Sequence, residues 1–126
     1  AAHDTANPAR GETMIFAPDD FDGDPYGFLT NQAGHAYLVG CPLALAAAPA
    51  FGLLAAPVVV GIGYALIWER VIQRGRDWRD SLEDSVHVMA GASVICGALS
   101  GDWLTVWGCL AAQGALLGLG VWRRRA

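Results

Sequence analysis

From Gly34 to Trp68 the chain runs for 35 residues without one Asp, Glu, Lys or Arg, and His35 is the one imidazole in the run. A helix needs about 20 apolar residues to cross the hydrocarbon of a bilayer, so the run is too long for one crossing and suits two short ones. The break belongs at Ala48-Pro49-Ala50-Phe51-Gly52, where Pro49 removes a backbone donor and Gly52 relieves the turn. This predicts spans over 33–48 and 52–72, with Pro42 and Pro57 kinking helices that neighbours must then support.

Residues 70–80 form a charged link containing Arg70, Arg74, Arg76 and Arg79. Beyond it, Asp80 and Glu83 have the spacing of a capping box, which predicts a third helix over 80–99. Ser100-Gly101-Asp102 reads as a short turn. A fourth span follows over 103–122, with Trp103 and Trp122 at its ends as in interfacial aromatic belts and Arg123–Arg125 stopping it.

The expected fold is therefore all-α: a polytopic membrane protein with a four-transmembrane-helix bundle over 34–122, a hydrophilic N-terminal arm over 1–33 and a basic tail over 123–126. A composition 54% hydrophobic and only 16% charged, with 16 Gly, fits one compact domain living mainly in lipid. The formal net charge of −4 conceals a polarity, because residues 1–33 hold six acids against Arg10 alone while the remaining Arg residues flank the apolar segments. Under the positive-inside rule these Arg clusters put both termini and the link on the cytoplasmic side of an inner membrane. Nothing in this pattern implies a nucleic-acid partner. Gly114-x-x-x-Gly118 and the glycines at 61, 63, 91 and 97 permit close helix approach, within one bundle, in a homo-oligomer or against other membrane subunits.

The arm is punctuated by Asn7-Pro8, Ala17-Pro18-Asp19 and Asp22-Gly23-Asp24-Pro25, so turns and short extended pieces are expected. It has no positive n-region or apolar h-region of a signal peptide. Met14, Ile15, Phe16, Phe21, Tyr26 and Phe28 are too many large apolar groups for a free tail, and they predict docking on the bundle, the membrane interface or a partner. Asp20-x-Asp22-x-Asp24 starts like a calcium loop, but Pro25 stands where Gly is required and Asn31 where a bidentate Glu should bind. Cys41, Cys96 and Cys109 lie in apolar stretches without a C-x-x-C pair, which reads as small hydrophobes and no zinc site.

The chemistry-bearing stretch is 78–91, where charge gives way to an apolar segment within one helical turn. Asp80, Asp84, His87 and Gly91 fall at i, i+4, i+7 and i+11 and share one helix stripe. In the expected topology His35 opens span one, Glu69 closes span two and this stripe opens span three, so all five ionisable groups reach one depth. Such residues are expensive in lipid and are candidate functional groups. His35, Glu69, Asp84 and His87 are the candidates for acid/base work, and Asp80, Asp84 and His87 for a divalent metal. Capping of the third helix and pairing of Glu69 with Arg70, Arg74 or Arg76 explain the same residues without chemistry. Two histidines on different helices are also the minimum for haem or chlorin ligation, yet no pocket motif accompanies them and no motif requires a cofactor.

His35 within Thr30-Asn-Gln-Ala-Gly-His35, Glu69 within Trp68-Glu-Arg, and Asp80, Asp84, Gly91 and Ala92 together resemble the pattern of VanZ-like small membrane proteins and related phage-encoded membrane proteins. The likeness covers residues 30–92. It departs from the pattern in that His87 intervenes and the Gly follows the second acid at a greater distance. It implies an architecture more than an activity. Three functions follow as expectations: a structural or accessory subunit of a larger membrane assembly with its arm docked on a partner, more a binding protein than an enzyme; an intramembrane enzyme acting on a lipid or lipid-linked headgroup; or a holin-like, pore-forming protein.

Overall fold

The computed structural model describes residues 21–67, 70 and 78–125, with the side chains of Trp78 and Asp80 outside that set. Most of the arm, Glu69 and the greater part of the Arg-rich link therefore lie outside the described residues. Every regular element among the described residues is a helix, with no strand.

Helix α1 runs from Pro25 to Phe51 as two α-helical parts, Pro25–Ala33 and Cys41–Phe51, joined without interruption by a π-helical segment, Gly34–Gly40. It starts eight residues before the expected span, in what the sequence presents as arm. The reason is local: Asp24 accepts a hydrogen bond from the Gly27 amide at 2.8 Å, and Pro25 occupies the first helical position, where its missing N–H costs nothing. The acid that began like a calcium ligand is a helix cap. The π-helical turns end where Pro42 follows. Pro42 cannot donate to the carbonyl four residues back, and a widened turn just before it accommodates the ring without breaking the helix. Pro49 likewise sits inside the last turns, so the break falls at the last residue of the expected stretch, Gly52, whose φ of +83° only glycine adopts readily.

Helix α2, Ala56–Ile67, carries Pro57 in its first turn, where its missing N–H costs no helical bond. Its 12 described residues reach about 18 Å at 1.5 Å per residue, short of the roughly 30 Å of a hydrocarbon core. Helix α3 spans Trp78–Ser100 and begins two residues before the expected cap. Asp80 is thus the third residue of the helix and not its N-cap, a first-turn position where a carboxylate still suits the positive end of the helix dipole. Helix α4, Trp103–Arg123, matches the expected span to within one residue. The α3–α4 turn closes with two bonds, Asp102 N–H to the Gly97 carbonyl and Gly101 N–H to the Ala98 carbonyl, around Gly101 at φ +73°. Asp102 then caps α4 by accepting from the Thr105 amide and hydroxyl.

Three helices, Pro25–Phe51, Ser81–Ser100 and Trp103–Arg123, are long and apolar enough to cross a membrane, and α2 is a fourth, shorter apolar helix. Among the described residues, the four expected spans are three helices of spanning length and one shorter apolar helix. Packing is inverted relative to a soluble bundle. Leu54 is 94% exposed and Leu104 86%, with Trp107, Trp122 and Leu38 also facing outward, whereas the interior holds Ala36, Ala44, Ala56, Ala92 and a set of polar side chains. Many large apolar groups outside, and an interior that holds small and polar residues beside Phe28, Val60, Tyr64 and Val88, suit a lipid solvent, in which Leu gains little by burial.

Helix α3 is the central element and packs against α1, α2 and α4. Its crossing with α1 depends on glycine. A side chain at Gly91 would collide with the Ala36 carbonyl, and one at Gly40 would meet the Val88 carbonyl and the Ala92 amide nitrogen. The backbones touch here, and Cys41 donates its thiol to the Gly91 carbonyl at 3.3 Å. All three cysteines are free thiols. At the far end of α1, Phe28 is fully buried against Gly120, with the Arg124 guanidinium 3.9 Å from its ring centroid and Glu83 4.0 Å from the same Arg. This apolar group of the expected arm docks on its own bundle, and it brings the start of α1, the start of α3 and the end of α4 to one end of the molecule.

Candidate functional site

The glycine-mediated contact between α1 and α3 sets the site. With the backbones held together at Ala36 and Gly91, the turn preceding each residue faces the other helix. Gln32 and His35 lie three residues apart on α1, and Asp84 and His87 three apart on α3, so each pair shares a face. The Gln32 amide donates to Asp84 Oδ1 at 2.9 Å, and His35 Nε2 lies 3.6 Å from Asp84 Oδ2. On its other side, His35 Nδ1 is 2.9 Å from the Asn31 carbonyl. A carbonyl only accepts, so Nδ1 carries a hydrogen. Nε2 then faces the carboxylate. The imidazole also meets the Tyr64 ring of α2 edge to face, at 5.7 Å and 79°.

A second chain of polar groups runs from the same helices to α4. Tyr37 donates its hydroxyl to Gln113 Oε1 at 2.7 Å, and the Gln113 amide lies 3.4 Å from His87 Nδ1. The amide is the donor, which makes His87 Nδ1 the acceptor. His87 is 1% exposed and Asp84 4%; Gln32, Ser81, Ser85 and Gln113 are also buried. Ser85 donates back to the Ser81 carbonyl at 2.6 Å. Gln32 Oε1 and Ser81 Oγ are buried without a hydrogen-bond partner among the described residues.

Of the residues singled out from sequence, His35 and Asp84 meet directly. His87 lies one turn beyond them and engages Gln113. Glu69 and the Asp80 side chain fall outside the described residues. Among the described residues no three of His, Cys, Asp or Glu come together to hold a metal, and the nearest neighbours of Asp84 and His87 are amides and an imidazole, which complete hydrogen bonds. Gln32, Tyr37, Tyr64 and Gln113 were invisible as partners in the sequence. Gln113 was detectable in principle, as the one amide in the apolar run of α4, and so was Tyr64 in α2. Gln32 was hidden by the assignment of residues 1–33 to an arm.

What the arrangement does chemically is join three helices with oriented, buried polar bonds. Both ring nitrogens of His35 and both oxygens of Asp84 are engaged inside the bundle, so acid/base chemistry on a bound molecule would first require the imidazole to leave one of them. One face of the cluster does reach a cavity. His35, Tyr64 and Asn31 form the end of a groove of about 880 Å³ between α1 and α2, which continues along Val39, Leu43, Ala46, Ala47, Val60 and Gly63.

No protein family, curated protein or solved structure matches the chain, so the likeness to VanZ-like proteins rests on its six positions alone.

Proposed function

We propose that this chain is a small integral protein of the inner membrane that serves as a structural or accessory subunit of a larger membrane assembly, with both termini on the cytoplasmic side. The observation that carries this reading is the outer face of α4. Gly108, Gly114 and Gly118 each have nothing within 4 Å of where a side chain would begin, and Ala111 and Ala115 beside them are exposed. Other helical glycines do meet a neighbour: Gly40 and Gly91 meet the backbone of a packed helix, Gly61 and Gly97 meet side chains of one, and Gly120 meets the Phe28 ring. Small residues let helix backbones approach closely and give lipid tails little to grip, so an open small-residue face suits another helix. The engagement of His35, Asp84, His87 and Gln113 with one another supports the same reading, since it gives the buried polar groups a fastening role. Arg79 and Arg123–Arg125 at the shared end of the bundle support the orientation.

The test is the size and composition of the particle extracted from native membranes with a mild detergent, for the wild-type chain and for Gly114→Leu. The reading expects a stoichiometric assembly larger than the chain, weakened by the substitution. A lone monomer in both cases would overturn it.

A second reading, an intramembrane enzyme acting on a lipid or lipid-linked headgroup, is favoured by one observation: His35 and Tyr64 border an apolar groove. It expects Asp84→Asn to fold and to lose all turnover of membrane lipid, whereas the fastening role expects that variant to lose stability.

A further inference from the structure

We propose that the π-helical segment Gly34–Gly40 is a two-register element. Wound as a π-helix it docks Phe28 and Gln32; rewound as an α-helix it turns the start of α1 by one residue and presents Leu29 and Ala33 in their places. The element requires no partner subunit.

The buried residues of α1 are Phe28, Gln32, Ala36, Gly40 and Ala44, four apart throughout, and every other residue of the helix is at least partly exposed. At 3.6 residues per turn, positions four apart in an α-helix drift by about 40° a step, which is about 120° from Gly40 back to Phe28. The close crossing at Gly40 and Gly91 fixes which face of α1 meets α3. An unbroken α-helix held there would swing Gln32 and Phe28 off that side. Hydrogen bonds of a π-helix run from i to i+5, so each turn holds nearly one residue more and positions four apart fall short of a full turn. The π-helical turns offset the drift, and the segment stores about one surplus residue.

Releasing that residue turns everything before Gly34 by about 100°, the angle between neighbours in an α-helix. Each residue then takes the direction of the one before it, Leu29 that of Phe28 and Ala33 that of Gln32. Leu29, now 39% exposed, is apolar and suits the place against Gly120. The registers differ at α3. Gln32 donates to Asp84 Oδ1 at 2.9 Å, and Ala33 has no side-chain donor to replace it. His35, second in the segment, turns with the start of the helix and leaves its place 3.6 Å from Asp84 Oδ2. The winding of the segment therefore couples the docking of the start of α1 on α4 to the hydrogen bonding of Asp84. Two features hold the present register: the contacts of Phe28 and Gln32, and Pro42, whose ring would meet the Leu38 carbonyl in an α-helix. An unfavourable winding persists where its surroundings over-determine it.

The experiment uses the full chain in lipid nanodiscs, with contacts read as nuclear Overhauser effects at Gly120 and at the Asp84 side chain. Every variant carries Pro42→Ala, so that proline does not oppose α-helical winding, and Pro42→Ala alone is the reference. Phe28→Leu, Leu29→Phe, Gln32→Ala and Ala33→Gln together move the docking pair by one residue. This transposed chain is expected to fold and to show the ring at Gly120 from position 29 and the amide at Asp84 from position 33, with the segment wound as α-helix. Deleting Leu38, an exposed residue of the segment, from the reference removes the surplus and should leave the contacts with Phe28 and Gln32. The same deletion in the transposed chain leaves no surplus to release, and both contacts should be lost. A transposed chain that fails to fold, or folds with neither contact, would overturn the proposal. So would loss of both contacts in a folded Leu38 deletion, or their retention in the transposed chain lacking Leu38. Should the Leu38 deletion not fold, the transposed chain decides alone.

Discussion

Asp84→Leu tests whether the buried polar groups fasten the bundle. The carboxylate accepts from Gln32 at 2.9 Å and faces His35 Nε2 at 3.6 Å, so its removal strands two groups in a site 4% exposed. Stranding a buried polar group costs about 1–3 kcal/mol. Two such groups give a loss of about 2–6 kcal/mol. Asp84→Asn keeps an acceptor for Gln32 and loses only the charge, so it should cost about 1–2 kcal/mol, nearer the modest values of interhelical hydrogen bonds in lipid. Replacing both partners, as His35→Leu with Asp84→Leu, removes the stranded imidazole as well and should recover part of the loss. Equilibrium unfolding in bicelles by steric trapping, carried through the double-mutant cycle, reads the coupling directly. We expect about 1–3 kcal/mol. A coupling under about 0.5 kcal/mol would mean that the two groups act independently, and the fastening argument would be refuted.

Three further outcomes follow from the packing. Gly91→Ala forces apart backbones in contact at Ala36 and should destabilise by at least about 1–3 kcal/mol, whereas Gly118→Ala on the open face of α4 should leave the isolated chain's unfolding unchanged. Phe28→Ala removes a fully buried ring held between Gly120 and Arg124 and should cost about 3 kcal/mol, read as faster hydrogen exchange over residues 25–32 with exchange in α3 little altered. Asp102 lies in the α3–α4 turn, and the hydroxyl and amide of Thr105 hold its carboxyl below the ordinary value of 3.8. A depressed folded-state value means the cap stabilises above the unfolded value and is lost as pH falls through the folded one. The stability difference between the wild-type chain and Asp102→Ala should therefore be constant from neutral pH down to about 4 and shrink only below it; a difference that shrinks near pH 6 would contradict this.

Much of the architecture was legible because it rests on length and charge. The uncharged run after Gly34 demanded two helices, and Trp103 to Trp122 between a Gly-Asp turn and three Arg residues defined α4 almost to the residue. The misplacements in α1 share one cause, namely that proline was read as a breaker. Pro25 starts a helix, Pro42 follows a π-helical segment and Pro49 rides in the last turns, because in each case neighbouring turns or caps satisfy the backbone groups that proline leaves unpaired. The candidate site was half legible. Asp84, His35 and His87 stood out as ionisable groups in apolar sequence, but their partners Gln32 and Gln113 are neutral amides, and pairing across α1–α3 and α3–α4 depends on a crossing that Gly40 and Gly91 fix in three dimensions. Sequence periodicity places a residue on a face and does not reveal which face it meets.

The central claim is that this chain works by packing its open α4 face against another membrane protein. Site-specific photo-crosslinking in native membranes, with the reactive group at Ala111 on that face, tests it most directly. The account predicts one crosslinked protein product of fixed mass, absent when the same group is placed at Gln113 in the interior. Adducts with lipid alone from Ala111 would contradict it.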